Sequence, residues 1–232
     1  MDSIKFENLL KEDIEQVFIK ILENCDYTLN ISAKSRSGAE ISDYLEDRFV
    51  EYITQNPHER ISKPLGAPKG ATKNPYDFMF DYDYKDDEVE YVAEPIWADI
   101  KACKHTYDDS NPDIGTPKKV IKYMLDGHFY LMYVLFSYIS TDDDKTKFIK
   151  LDNGKYVKVI FLKNIHHSVR VNPKPQLQVN INEPEEYRTE KEFVELLETK
   201  YYESLDRIIK NVEKTKATIS KQFKTIKENM GE

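Results

Sequence analysis

The sequence lacks several features that would assign a chain to a structural class at once. Its 232 residues include only two cysteines, Cys25 and Cys103, whose wide separation indicates neither a disulfide framework nor a zinc site. The longest apolar run, residues 128–139, is shorter than the roughly 20 residues of a membrane-spanning helix. The first residues mix charged and apolar side chains at helical spacing, unlike a signal peptide. We therefore expect a cytoplasmic protein without a membrane segment.

Glycine and proline are also scarce, with 7 and 10 residues, which excludes collagen-like and low-complexity chains. Hydrophobic residues supply 40% of the chain and aromatic residues 12%, enough for a packed core. This length and composition predict a single domain over residues 1–232. Within it we expect a core at about 38–140, a β-hairpin and loop at about 145–182, and a C-terminal helical region at about 189–228.

Positive charge is in deficit, and the net charge of -8 argues mildly against a nucleic-acid partner. The charges are unevenly distributed, however. Acidic residues concentrate between residues 77 and 94, whereas lysines and arginines concentrate at 60–73 and 147–174. An acidic patch with basic arms suits a metal-dependent nuclease, because carboxylates bind the cation and lysines neutralise phosphates. On charge alone, the solvated surface of an ordinary soluble protein is an equal alternative.

The spacing of apolar residues predicts a mixed α/β fold. Helical periodicity and strand-like runs alternate along the first two thirds of the chain. The predicted elements are helices at 4–24 and 39–53, a strand at 77–84, one or two strands at 88–103, a short helix ended by Gly127, and a buried strand at 128–139. Two further strands around the turn at 152–154 predict a hairpin.

Apolar residues recur every seven positions in the last predicted helical region. They are Leu205, Val212, Ile219 and Ile226. A seven-residue repeat forms one continuous apolar line along a helix, which packs against a partner helix. The sequence leaves open whether that partner lies within the subunit or in a second copy of the chain.

Asp99, Ile100 and Lys101 lie in a predicted strand. Alternation places Asp99 and Lys101 on one face of that strand and Ile100 on the other. Asp77 belongs to the preceding strand, so the two carboxylates can share a Mg²⁺ ion, with the backbone carbonyl of Ile100 as a further ligand. Phosphodiester cleavage needs an activated water and neutralised charge, and this arrangement can provide both. The alternative is an ion pair on a strand surface.

Glu46 is a fourth candidate for this centre. It precedes the apolar residues Phe49 and Ile53 of the second predicted helix, at the border of the buried face. From that border its carboxylate can lean toward the strands. Glu40 and Asp43 are competitors on the same helix, and we expect both to face solvent.

The order of Glu46, Pro75-Tyr76-Asp77 and Asp99-Ile100-Lys101 resembles the PD-(D/E)XK nuclease superfamily, whose restriction-endonuclease-like core has the order αβββαβ around a mixed sheet. Four longer stretches between residues 38 and 181 are similar to type II restriction endonucleases of its blunt-cutting branch. They are GAEISDYLEDRF, GAPKGATKNPYD, DSNPDIGTP and NPKPQLQVNI. The tyrosine between Pro75 and Asp77 departs from the strict Pro-Asp pair, although the proline takes no part in the chemistry.

This resemblance implies a homodimeric, Mg²⁺-dependent enzyme of the prokaryotic cytoplasm that cuts both strands of double-stranded DNA at a palindromic site. It implies that Asp77 and Asp99 bind the metal and that Lys101 acts on the attacking water. Glu46 is then an auxiliary ligand or orienting group. The added hairpin and the long C-terminal helices would lie outside the shared core.

The loop from Asn172 to Asn180 is rich in amides, the side chains best suited to adenine in the major groove. Gln176, Gln178 and Asn180 share one face of an extended strand, and few arginines accompany them. We therefore expect an A·T-rich target, the alternative being a polar edge strand. The other predicted DNA contacts are Asn111 and Thr116 in the loop after the second strand, and the lysines Lys69, Lys73, Lys104 and Lys174.

Two rival functions fit the same residues. A repair or junction-resolving nuclease would use the same core, but it recognises DNA shape and does not need an amide-rich loop. A non-catalytic DNA-binding protein would retain the fold without the intact acidic residues. The neighbouring His166 and His167 could suggest a metal site, but the sequence offers no third ligand at metal spacing.

Overall fold

The computed structural model describes residues 3–32, 37–68, 76–86, 89–91, 95–105, 112–180 and 182–231. Its four helices are α1 (Ser3–Asn24), α2 (Ser37–Gln55), α3 (Pro117–Leu125) and α4 (Glu190–Asn229). Its strands are β1 (Thr28–Leu29), β2 (Ile61–Gly66), β3 (Phe78–Tyr82), β4 (Tyr84–Asp86), β5 (Val89–Tyr91), β6 (Ile96–Lys104), β7 (Leu131–Ser140), β8 (Thr146–Ile149), β9 (Val157–Phe161), β10 (Arg170–Val171) and β11 (Leu177–Gln178).

The central sheet has the strand order β1-β8-β7-β6-β3-β2, and β9 also pairs with β7. Only β6 and β7 are parallel; the other neighbours are antiparallel. The crossover between the two parallel strands contains α3, as parallel pairing requires. The elements α2, β2, β3, β6, α3 and β7 follow the order αβββαβ, which confirms the predicted mixed α/β fold. A small β4–β5 hairpin is inserted before β6.

Apolar side chains cover both faces of this sheet. On one face, α1 and α2 pack over β3, β6 and β7, and the aromatic rings of Phe49 and Phe78 lie 4.3 Å apart there. On the other face, α3, the β10–β11 pair and the first turns of α4 cover β7 and β9. Each fully buried phenylalanine contributes roughly 1.5–3 kcal/mol. Burial on both sides explains the unbroken apolar run of β7, which the sequence analysis predicted correctly.

Strand β2 was not predicted from the sequence. It contains Pro64, and its register against β3 shifts between Ser62 and Leu65. At that irregularity Lys63 adopts a left-handed conformation, with φ of 48°. A bulge of this kind disrupts the two-residue alternation by which strands are recognised.

The predicted hairpin between the strands that flank residues 152–154 is wrong. The turn exists, with the Gly154 amide donating to the Leu151 carbonyl at 2.8 Å. Both flanking strands, β8 and β9, pair with the same edge of β7, one after the other, and not with each other. Strand β7 is long enough to pair with both, because β9 pairs with its first half and β8 with its last residues. The hairpin in this region is β7–β8, which turns at residues 141–145.

Helix α4 is a single helix of 40 residues. A capping box begins it, in which Thr189 and Glu192 exchange hydrogen bonds between side chain and backbone. Phe193, Leu197 and Ser204 are buried against the domain, whereas every described residue from Leu205 onward is exposed. The predicted seven-residue seam is therefore exposed in the single subunit, although Arg207 of the same segment donates to the Val171 carbonyl of β10 at 3.0 Å. None of the helices in the described ranges is long and apolar enough to cross a membrane.

Candidate active site

Asp77 lies where β3 begins to pair with its neighbours. Its backbone amide donates to the Ala98 carbonyl of β6 at 2.8 Å, and its carbonyl accepts from the Ala67 amide at 2.7 Å. Its side chain turns toward β6, where Oδ2 accepts the Ile100 amide at 2.7 Å. The carboxylate is therefore fixed beside the middle of β6.

Asp99 and Lys101 share one face of β6, as the alternation predicted. Ile100 between them points to the opposite face and is 1% exposed in the core. The Lys101 ammonium forms an ion pair with the Asp99 carboxylate, and these side chains retain 28% and 20% exposure. The pair is thus held by a buried strand but open to solvent, as a site for a ligand must be.

Asp77 and Asp99 are close enough to perturb each other. Burial and the nearby Asp99 carboxylate raise the pKa of Asp77 to about 7, although the Ile100 amide and Lys101 act in the opposite direction. Two carboxylates beside one ammonium group repel each other, which is why one of them retains its proton more readily. A cation between them would relieve this repulsion, and such clusters mark candidate functional sites.

Helix α2 contributes two side chains to the same place. Oε1 of Glu46 accepts the Ala67 amide at 2.9 Å, so it lies next to the main chain of Asp77. Gly66 permits this approach, since a Cβ there would lie 2.8 Å from that oxygen. Glu40 is exposed, whereas Glu46 is half-buried, which favours Glu46 as the auxiliary acid.

Ser42, one helical turn before Glu46, was missed by the sequence analysis. Its Oγ lies 3.1 Å from the Ile100 carbonyl and 2.9 Å from the Gly38 carbonyl, so its single proton is shared between these two acceptors. Gly38 brings this part of α2 close to the strand, because a Cβ there would lie 2.9 Å from the Ala102 carbonyl. A serine four residues before a candidate glutamate shares its helix face, and this spacing could have identified it.

The donor atoms at this centre fit Mg²⁺. This cation prefers oxygen ligands and usually retains several waters. The carboxylates of Asp77 and Asp99 and the carbonyl of Ile100 are all oxygen donors. The Ile100 carbonyl accepts one hydrogen bond from Ser42, and a carbonyl oxygen has a second lone pair.

Strands β10 and β11 form a short two-stranded ribbon on the sheet face that carries Asp99 and Lys101. Leu177 and Val179 are buried beneath it. The amides of the alternate face form a half-buried row: Gln176, Gln178 and Asn180. Within the protein, Gln178 Oε1 accepts a hydrogen bond from Arg170 Nε at 3.3 Å, and Asn180 Oδ1 accepts the Asn182 amide at 3.0 Å.

The turn of this ribbon is fixed by Asn172. Its Oδ1 accepts the amides of Lys174 at 2.8 Å and Gln176 at 3.0 Å, and its Nδ2 donates to Asp113 at 3.0 Å. Asn172 was predicted to contact DNA, but its side chain makes three hydrogen bonds within the protein. It therefore acts first as a support for the ribbon.

The ribbon is joined to β6 and β7 through residues 112–116. The amide of Ile114 donates to the Leu177 carbonyl at 2.8 Å, and the amide of Leu177 donates to the Gly115 carbonyl at 2.7 Å. The hydroxyl of Tyr133 donates to the Ile114 carbonyl. Because Tyr133 lies opposite Asp99 in the β6–β7 register, this chain of contacts runs from the carboxylates to the amide row.

The other predicted DNA contacts have mixed outcomes. Lys104 is exposed at the end of β6, and Lys174 is exposed in the ribbon turn. Thr116 is the N-cap of α3, where its side chain accepts the Lys119 amide at 3.3 Å. The remaining three lie outside the described residues: Lys69, Lys73 and Asn111.

A second group of possible ligands was missed by the sequence analysis. Glu186 provides the third ligand that His166 and His167 lack in the sequence, because one ligand atom from each of the three side chains lies within 4.8 Å of the others. Glu186 lies 19 residues after His167 in the chain, so no spacing motif could reveal the group.

Comparisons with known proteins identify one family and a similar solved structure. A family model described as SwaI-like, SwaI restriction endonuclease, matches residues 2–219. Among solved structures, the NlaIV restriction endonuclease is similar to this chain with a TM-score of 0.47 and 14% sequence identity, over 81% of this chain and 79% of that one. No curated protein matches the sequence significantly.

Proposed function

Because the chain belongs to the SwaI restriction endonuclease family, we propose that it is a type II enzyme that cuts both strands of a palindromic, A·T-rich DNA site with Mg²⁺. Membership of this family makes the chain a nuclease that acts on DNA. The observation that carries the finer proposal is the grouping of Asp77, Asp99 and Lys101 on adjacent strands, with the Asp77 pKa raised to about 7. That grouping resembles the PD-(D/E)XK arrangement, and the resemblance supports the proposal.

Each side chain has a distinct part in this proposal. Asp77, Asp99 and the Ile100 carbonyl hold Mg²⁺, which supplies charge neutralisation at the scissile phosphate. The Lys101 ammonium, kept in place by Asp99, hydrogen-bonds the attacking water and orients it toward phosphorus. Glu46 positions the Asp77 main chain through the Ala67 amide that both contact.

Cleavage of a random-sequence plasmid library, followed by sequencing of the ends, tests the reaction and its site together. We expect ends at one A·T-rich palindrome with Mg²⁺, and binding without efficient cutting with Ca²⁺. Asp99→Asn should abolish the cutting, whereas Asp81→Asn on β3 serves as the matched control. Binding without cutting by the parent would support the non-catalytic alternative, and cutting at branched structures alone would support a junction nuclease.

The amide row supports base recognition by the ribbon. Gln176→Ala or Gln178→Ala should cost roughly 1–3 kcal/mol of discrimination at one base pair and leave nonspecific binding unchanged. Lys174→Ala is the matched control in the same ribbon, and it should weaken binding to every duplex and reduce the salt dependence by about one ion. If both glutamine variants weaken binding to cognate and scrambled duplexes equally, the ribbon contacts the DNA backbone and does not read bases.

The proposal includes a homodimer, since a palindrome has two-fold symmetry and each subunit has one such centre. The exposed part of α4 supports an interface between two copies. Its apolar residues follow a heptad spacing in two alternating series. One series is Leu205, Val212, Ile219 and Ile226, and the other is Ile209, Phe223 and Met230, with Lys216 at its remaining position. All eight are exposed in the single subunit.

Lys216 favours an antiparallel pairing of these helices. In a parallel pair, Lys216 would face its own copy in the apolar seam, and the two charges would repel each other. In an antiparallel pair, each layer combines an apolar residue of one series with a residue of the other. The layers are Leu205 with the partner's Met230, Ile209 with the partner's Ile226, Val212 with the partner's Phe223, and Lys216 with the partner's Ile219.

Charge complementarity favours the same orientation. Asp206 and Lys227 flank the seam on the same side, near opposite ends of the exposed segment. Antiparallel helices bring Asp206 of one subunit beside the oppositely charged Lys227 of the partner subunit.

Sedimentation of Phe223→Glu tests this interface, with Lys214→Glu on the outer face of α4 as the control. We expect the first variant to be monomeric and the control dimeric. In a background without Cys25 and Cys103, Leu205→Cys combined with Met230→Cys should form an intersubunit disulfide, and Leu205→Cys alone should not. A dimeric Phe223→Glu variant would place the interface elsewhere, and a monomeric parent with and without DNA would exclude the homodimer.

A further inference from the structure

The segment that leads into α4 carries a group of nitrogen and oxygen donors away from β6. His166 and His167 follow the short 3₁₀ helix at Leu162–Asn164, and Glu186 lies four residues before α4 begins. The Glu186 Oε1 atom lies 2.5 Å from His167 Nδ1 and 3.3 Å from His166 Nε2. One carboxylate oxygen therefore meets two imidazole nitrogens from adjacent residues.

The remaining polar atoms of these side chains are bound in a way that fixes the donors. Glu186 Oε2 accepts the His167 amide at 3.1 Å and contacts the Arg188 guanidinium, which leaves Oε1 toward the imidazoles. His166 Nδ1 lies 2.8 Å from Ser168 Oγ and 3.3 Å from the Ser168 amide nitrogen. In the tautomer whose Nδ1 donates to Ser168 Oγ, Nε2 presents its lone pair on the side of Glu186. Supporting hydrogen bonds of this kind orient the ligands of known metal sites.

We propose that His166, His167 and Glu186 bind one divalent transition-metal ion of the Zn²⁺ class. Two imidazoles and one carboxylate suit Zn²⁺, Ni²⁺ or Cu²⁺, whereas Mg²⁺ prefers oxygen ligands alone. Glu183 offers a fourth ligand, because its Oε2 lies 3.9 Å from His166 Nε2. When the ion binds, His167 exchanges its contact with Glu186 for the metal, and Glu186 retains Arg188.

The surrounding structure holds the ligands in place before any ion arrives. The Glu186 amide donates to the Asn164 carbonyl at 2.9 Å, and the Arg188 amide donates to Asn164 Oδ1 at 3.2 Å. Asn164 is itself buried and bound to Glu7 of α1 at 2.6 Å. The ion would thus link the segment after β9 to the segment before α4, and it would stabilise the base of that helix.

Calorimetric titration of the full chain with Zn²⁺ tests this site. The chain carries Asp77→Asn and Asp99→Asn, so that the carboxylates beside β6 do not compete for the ion. We expect one Zn²⁺ per chain, a higher melting temperature with the ion, and a Co²⁺ derivative with the visible absorption of a tetrahedral complex. Binding should weaken on acidification, because the imidazoles must be unprotonated.

His166→Ala and Glu186→Gln should each weaken Zn²⁺ binding by about 100-fold or more, and Ser168→Ala by about tenfold. His105→Ala removes an exposed histidine elsewhere and should leave the affinity unchanged. Circular dichroism of each metal-free variant verifies its fold. Absence of one-to-one binding by the folded parent would overturn the proposal, as would unchanged affinity in both His166→Ala and Glu186→Gln.

Discussion

Strand β3 has an aspartate network at each end, and the two differ in the groups that face the aspartate. At its C-terminal end, Asp13 of α1 accepts hydrogen bonds from Tyr82 at 2.6 Å and from Arg60 at 2.6 and 2.7 Å. At its N-terminal end, Asp77 faces Asp99, with one lysine between two acids. Asp13 is only 4% exposed, yet its single negative charge is fully paired.

The pKa values of the two aspartates move in opposite directions. Burial alone would raise the pKa of Asp13, but hydrogen bonds from Arg60 and Tyr82 hold it below its usual range. Burial raises the pKa of Asp77 and the Asp99 carboxylate adds to the effect. The second acid on Arg60 is Glu59, which is 72% exposed, so Asp13 is the buried acid of its network. Asp77 instead faces a second carboxylate, and this acidic excess favours a bound cation. Burial of an aspartate therefore does not identify its role, but the charge of its neighbours does.

Loss of Asp13 should have the largest effect on folding. Asp13→Ala leaves Arg60 and Tyr82 without their partner, and we expect about 3 kcal/mol less stability to urea, the low end for a broken buried pair because Arg60 is partly exposed. Asp77→Asn should cause no comparable loss, since it removes a repulsion. Equal destabilisation by the two variants would show that both networks are structural.

Loss of Asp77 should have the largest effect on activity. Asp77→Asn removes a proposed metal ligand, and we expect DNA cleavage to fall by about 10²–10³-fold or more, the cost of losing one group that stabilises the transition state. Single-turnover cleavage with saturating Mg²⁺ measures this change. The matched control is Asp13→Asn, assayed where that variant remains folded. Near-normal cutting by Asp77→Asn would contradict the assignment.

The dependence of stability on pH should have opposite signs for the two aspartates. The folded chain without metal binds a proton at Asp77 more tightly than the unfolded chain, so stability should fall as the pH rises from about 4 to about 7. Asp13 contributes stability that is lost only as the pH falls below its unfolded pKa. We therefore expect the stability of Asp77→Asn relative to the parent, measured by urea unfolding, to be greater at about pH 8 than at about pH 5.

The pH dependence of Mg²⁺ binding offers a second measurement of the protonation of Asp77. Because Asp77 must lose its proton to bind the cation, affinity should rise with pH and level off above about 7. Affinity independent of pH in this range would mean that Asp77 does not bind the cation.

The smallest predicted effect belongs to Ser42. Ser42→Ala removes the hydroxyl that contacts the Ile100 carbonyl, and it should weaken Mg²⁺ binding by about tenfold while leaving the fold intact. Ser62→Ala, on the bulged strand β2, is a control that removes an equivalent hydroxyl. If Ser42→Ala binds Mg²⁺ as well as the parent, Ser42 supports the packing of α2 and not the ligand.

The sequence predicted local features better than pairing. Alternation in β6 correctly placed Asp99 and Lys101 on one face, because that strand is regular and half-buried. It failed at β2, where Pro64 and the bulge at Lys63 remove the alternation. It also failed for β8 and β9, since a turn sequence indicates where the chain reverses locally but not which strand edge is available.

Contacts between distant segments were beyond the sequence for the same reason. Ser42 reaches Ile100 across 58 residues, and Glu186 reaches His167 across 19. No local periodicity encodes either distance. Helix and strand patterning selected Glu46 and Asp77, and the resemblance to nucleases supplied their roles, but neither included the serine beside them.

The unpacked length of α4 has a consequence for local unfolding. A helix rises about 1.5 Å per residue, so its exposed part extends roughly 40 Å beyond the last buried side chain, Ser204. Helices of this length are only marginally stable alone in water. Amide hydrogens of residues 205–229 in an isolated subunit should therefore exchange with solvent far faster than those of β7. Their protection should increase with protein concentration, so exchange at the end of α4 would report how much of the protein is dimeric.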